Sequence, residues 1–91
     1  MSVMEDPDFK ELRKFKGKVD VKGVESILQE VVSEIEMGSS VTNALIYVYS
    51  LHYSEVRSYR ELFNVITKLM EKFAGKLGAD NVANLIRDSL K

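Results

Sequence analysis

Apolar positions along this chain recur at steps of three and four, the spacing of helices that each bury one stripe. The longest run is Tyr59, Leu62, Phe63, Ile66, Leu69, Met70, Phe73 and Leu77, which predicts an amphipathic helix over residues 58–77. Ser58 and Glu61 at its front match S-x-x-E, a capping box whose side chains satisfy free N–H groups of the first turn. Gly78 follows as the terminator. Val24, Leu28, Val31 and Ile35 make a second stripe, widened by Ile27 and Val32, with Glu25, Glu30, Glu34 and Glu36 on other faces. Asp20 stands before it as N-cap, and Val19 and Val24 occupy the two positions of a hydrophobic staple. With Gly38 closing it, this helix spans about 21–37.

Three further helices follow from the same reasoning. Asp6-Pro7 places a capping carboxylate before a proline suited to the first helical position. The helix it opens, about 7–16, carries Phe9, Leu12 and Phe15 and ends on Lys14, Lys16 and Gly17. Ser39 or Ser40 caps a helix over 41–54 with the stripe Val41, Ala44, Leu45, Val48 and Leu51. Ile46, Tyr47, Tyr49 and Tyr53 make that helix apolar nearly all round, the pattern of a central or partner-covered helix. No Pro or Gly separates it from the helix at 58–77, so the two are either distinct or one long helix kinked within 54–58. Asp80 caps a last helix over 80–90 bearing Val82, Leu85, Ile86 and Leu90. Residues 18–22 alternate like a strand, but the run is short and has no partner segment. The sum is one all-α domain, a compact bundle of four to five helices, with residues 1–6 expected to fray.

Composition narrows the chemistry. A chain of 91 residues supports one modest core. Absence of Cys removes disulfides, thiolate metal sites and a Cys nucleophile. His52 is the single histidine, and with Glu55 it forms H-x-x-E, one helical turn apart. One His falls short of a zinc site, and di-iron bundles use Glu-x-x-His on two helices, so neither a metal ligand nor a cofactor is assigned. There is no nucleophile elbow and no phosphate-cradling glycine motif, and only His52 could serve as a base near neutral pH. The expectation is therefore a protein that is not an enzyme. The most apolar run, 41–53, is shorter than the roughly 20 residues that span a bilayer. The first eight residues are acidic and lack an apolar stretch, which with the missing Cys makes the cytoplasm the expected compartment. Abundant Lys and Glu with a single Gln give a thermophile-like composition.

The net charge of -1 conceals a pattern. Residues 10–22 carry a net +4, residues 23–56 hold five Glu and no Lys or Arg, and residues 57–91 carry a net +3. Lys10, Arg13, Lys14, Lys16 and Lys18 could contact phosphates. A helix-turn-helix built on Ala74 and Gly78 fails, because Asn84 and Arg87 stand where its second helix needs apolar residues. Tyr47, Tyr49, Tyr53, Arg57, Tyr59 and Arg60 form the densest aromatic and cationic cluster. In a continuous helix, Tyr49, Tyr53, Arg57 and Arg60 fall at steps of four, four and three on one face, and Tyr and Arg are enriched in binding hot spots. The sequence thus points to a small non-catalytic protein-interaction module, an accessory subunit or a homodimer, docking through Tyr49, Tyr53, Arg57 and Arg60. The alternative is nucleic-acid binding through the basic N-terminal segment aided by the Tyr/Arg cluster. No small-molecule substrate and no membrane partner is indicated.

Overall fold

The computed structural model describes residues 2–91 and contains six α-helices and no strand among them. They are α1 (Pro7–Leu12), α2 (Val21–Glu36), α3 (Val41–Leu51), α4 (Tyr53–Ser58), α5 (Arg60–Leu77) and α6 (Ala79–Leu90). The bundle is all-α, as the periodicity predicts.

Caps set most of the boundaries. Asp6 accepts from the Asp8 amide at 2.8 Å, Asp20 from Gly23 at 3.2 Å and Ser40 from Asn43 at 3.1 Å. The first helix is shorter than its pattern suggests, because residues 13–15 tighten into a 3₁₀ turn before Gly17. The N-terminal segment carries a 3₁₀ turn over Val3–Glu5, and Val3 and Met4 pack against the core. Met1 lies outside the described residues.

Two capping assignments are corrected. Ser58 lies in the last turn of α4 and donates to the Ser54 carbonyl at 2.9 Å. Its hydroxyl is therefore turned back onto its own helix, and α5 begins after Tyr59 with no side-chain cap. Asp80 falls inside the first turn of α6, whose N-cap is Gly78, while Asn81 donates to the Leu77 carbonyl at 2.6 Å.

Helices three and four of the sequence reading are not continuous. The chain breaks at His52 (φ -118°, ψ 37°) and again at Tyr59 (φ -119°, ψ 45°), leaving α4 as a six-residue helix between α3 and α5. Compaction explains the breaks. A single helix over 41–77 would run roughly 55 Å, and the whole molecule measures 31 × 29 × 17 Å. Turning twice lets the stripes of α3 and α5 face the same interior.

That interior is one cluster of buried residues from every helix except α4, whose Val56 packs against it. α6 packs on both α5 and α2, α3 on α2 and α5, and α1 on α5 and α6. The 17 Å dimension corresponds to two helix layers at ordinary spacing. Phe9 is fully buried and stacks with Phe73 at 6.2 Å, which fastens α1 to α5. The basic first helix therefore rests on α5 and α6 rather than on the acidic α2, and it is Arg87 and His52 that meet the α2 acids Glu25 and Glu30.

Lys72 of α5 holds the start of α1 from outside, reaching Asp6 at 3.1 Å and Asp8 at 2.6 Å. The hydrogen bond from the Asp8 amide holds the Asp6 carboxyl below its ordinary value of 3.8, against the next-largest effect, burial, with Lys72 adding to the lowering. A lowered carboxylate pKa contributes stability above the unfolded-state value that is lost as pH falls through the folded-state one. Asp6→Ala should thus cost about 1 kcal/mol at neutral pH, the usual worth of an N-cap. Chemical denaturation across pH checks this, and the gap to the parent protein should narrow from the ordinary 3.8 downwards and close as pH passes the lowered folded-state value.

Candidate functional site

The breaks at His52 and Tyr59 do not scatter the Tyr/Arg set. Tyr49 near the end of α3, Tyr53 and Arg57 on α4, and Arg60 at the start of α5 line one groove of about 580 Å³, with Val56 and Phe63 as its apolar floor and Asn64 at its edge. The sequence places the four on one face of a straight helix. The structure gathers them from three helices around a concavity. Val56 and Asn64 carried no signal of their own, since only the double bend brings them alongside the Tyr/Arg set.

Each member has a distinct environment. Tyr49 is half-buried, its ring edge-on to Phe63 at 5.4 Å, its hydroxyl 2.8 Å from Thr67 Oγ1. Burial pushes its phenol up to about 12, against the lowering effect of the Thr67 hydrogen bond. The folded protein then holds that proton more tightly than the unfolded chain, so stability is level below the ordinary 10.0 and falls as pH rises towards about 12. In Tyr49→Phe this alkaline loss should disappear, together with about 1 kcal/mol from the hydrogen bond, as read by denaturation at neutral and alkaline pH. Tyr53 is 63% exposed, an unusual setting for so large a ring. Arg57 and Arg60 are exposed, and neither makes an ion pair among the described residues. Tyr47 is also exposed, whereas Tyr59 is half-buried against the core.

Lys10, Arg13, Lys14, Lys16 and Lys18 are all exposed. Lys14 pairs with Glu11 at 2.9 Å, and Arg13 donates to the Met4 carbonyl. Phe15, between Lys14 and Lys16, does share a shallow recess with Arg57 and Arg60, and Glu61 lines that recess too.

Among the described residues no group of three or more His, Cys, Asp or Glu is placed to hold a metal ion. Carboxylates do converge in pairs, and most pairs have a base between them. Asp6 and Asp8 share Lys72, and Glu25 and Asp88 share Arg87. Glu30 stands 2.5 Å from His52, whose ring closes the end of α3 against α2. Asp20 and Glu55 are different. Both reach over Gly23 in the first turn of α2, where an oxygen of each lies no more than 2.7 Å from the point a Cβ would occupy. Neither carboxylate makes an ion pair among the described residues. Sequence reasoning took Asp20 as a cap and missed its meeting with Glu55. The available signal was Gly23 itself, a helix-weakening residue within a first turn.

Comparison with known proteins adds a family. Residues 1–90 match the family model described as Calcium binding protein SSO6904. Among solved structures the chain is similar to the archaeal protein SSO6904 from hyperthermophilic Sulfolobus solfataricus, known from a solution structure. The two are 37% identical with a TM-score of 0.92, over 100% of this chain and 92% of the other. That source is the setting to which the composition points. No curated protein matches.

Proposed function

This chain belongs to the family of calcium binding protein SSO6904, and from that premise we propose that it is a small non-catalytic module that binds Ca²⁺. The observation that carries the reading within this chain is the cradle over Gly23. Ca²⁺ takes six to eight oxygen ligands at roughly 2.3–2.6 Å. The Asp20 and Glu55 carboxylates converge over Gly23, whose missing Cβ leaves room for both. Neither carboxylate is neutralised by a base among the described residues. The positive end of α2 opposes a cation there, but its roughly half a charge is outweighed by two carboxylates. Two side chains supply only part of the ligand set, so water completes it, and affinity belongs in the weak range of about 10⁻⁴–10⁻³ M.

Amide chemical shifts followed during a CaCl₂ titration test this. The expected result is a saturable change centred on residues 20–24 and 55 that is absent from the Asp20→Asn, Glu55→Gln double variant. An unsaturable response, or the same response in the double variant, would overturn the site.

A second reading, docking of a protein partner, is favoured by the groove. Its supporting observation is that Tyr53 and two unpaired guanidiniums surround an apolar floor. A monomer by sedimentation, together with partner capture unchanged in Tyr53→Ala and Arg57→Ala, would defeat this reading.

A further inference from the structure

Several cations of this protein, two of its four arginines among them, are engaged within the chain. Lys14, Lys72 and Arg87 each pair with acids of their own chain, and Arg13 is tied to a backbone carbonyl. Arg57 and Arg60 have no such partner, although they are three residues apart and face one concavity. No carboxylate lines that concavity. Two guanidiniums beside an apolar floor form a complementary surface for an anion attached to something apolar, because the planar fork of Arg matches a carboxylate with two parallel hydrogen bonds. Tyr53 adds an exposed ring at the rim, and Asn64 an amide. α4 contributes no fully buried residue and is bounded by a break at each end, and of its residues only Val56 packs against the core.

We infer that this groove is a docking site for an acidic peptide segment of a protein partner, with a carboxylate seated on Arg57 and Arg60 and a neighbouring apolar side chain on Val56 and Phe63. The inference rests on the docking reading above and specifies its partner. The volume of about 580 Å³ holds a few side chains rather than a whole helix. A nucleic-acid strand is the poorer fit. It needs a row of cations for successive phosphates. The recess that adjoins the groove through Arg57 and Arg60 is lined by Glu61, which would repel a phosphate.

Fluorescence anisotropy separates these possibilities. The probes are a labelled peptide alternating Glu with Leu and Phe, the same peptide with Gln for Glu, and a labelled oligothymidylate. The acidic peptide should bind with affinity that falls as salt is added. It should bind at least about tenfold more tightly than the Gln peptide, and lose at least about tenfold in the R57E/R60E double variant, since two charge-assisted contacts are reversed. Both side chains are exposed and unpaired, so the variant should keep the parental melting temperature, and R57Q/R60Q serves if it does not. Equal binding of both peptides, or no binding of either, overturns the acidic class. So does tighter, Arg57- and Arg60-dependent binding of the oligothymidylate, which would mark a nucleic-acid surface. Partner capture that still depends on Tyr53 after a negative peptide result would retire the acidic class and leave the docking surface standing. Loss of that dependence as well would remove both.

Discussion

Phe63→Ala is expected to be the most damaging single substitution discussed for this molecule. Phe63 is 2% exposed and lies where α3 and α5 meet. Its ring takes the edge of Tyr49, and its carbonyl accepts from Thr67 Oγ1 at 2.7 Å. Truncation removes a large apolar surface and leaves a cavity that two packed layers cannot easily collapse. Such changes cost about 3–5 kcal/mol, set against a total of roughly 5–15 kcal/mol for a domain of this kind. At about 4–8 °C per kcal/mol for a chain of this length, the melting temperature should fall by roughly 12–40 °C. Phe63→Leu, which conserves most of the volume, should cost under about 1.5 kcal/mol. Calorimetry of both variants checks the pair. A loss below about 1 kcal/mol for Phe63→Ala would show that the ring is not part of a close-packed interior. Because Phe63 also floors the groove, Phe63→Leu is the variant in which to ask whether binding depends on the ring itself.

Two glycines close together in sequence should respond to alanine with opposite signs. Gly78 connects α5 to α6 at φ +93°, ψ 135°, a conformation that residues with a Cβ rarely adopt. A Cβ there would also stand 3.1 Å from Asp80 Oδ1 and 3.3 Å from Asn81 Nδ2. Gly78→Ala should cost about 1–3 kcal/mol as backbone strain. The loss should fall on the α5–α6 packing, since the turn fixes how those helices meet. Gly75 sits inside α5 with open space where its Cβ would be. There the substitution only restricts the unfolded chain and improves helix propensity, so Gly75→Ala should stabilise by about 0.5–1 kcal/mol. Denaturant midpoints at constant slope measure both. Changes of the same sign would refute the conformational assignment at Gly78.

The breaks around α4 show where sequence reasoning ran short. His52 and Tyr59 are neither Gly nor Pro, and their conformations come from the need to fold α3 back over α5. S-x-x-E at Ser58 is a local pattern with more than one use, and here the hydroxyl serves the preceding turn. The same bends changed the candidate site. Four residues chosen for helical spacing still meet, but around a groove floored by Val56 and Phe63.

What the sequence determined by itself is the part governed by local chemistry: the apolar stripes of α2, α5 and α6, the caps at Asp6 and Asp20, a cap at Ser39 or Ser40, and the all-α class. These depend on residues three or four positions apart, whose contacts any helix would make. Tertiary structure decided the pairings across tens of residues. It brought Glu55 over Gly23 beside Asp20, set Lys72 between Asp6 and Asp8, and left Arg57 and Arg60 without partners. Such meetings depend on how the helices close over a shared core, and nothing in the spacing of those side chains along the chain encodes the distance between them.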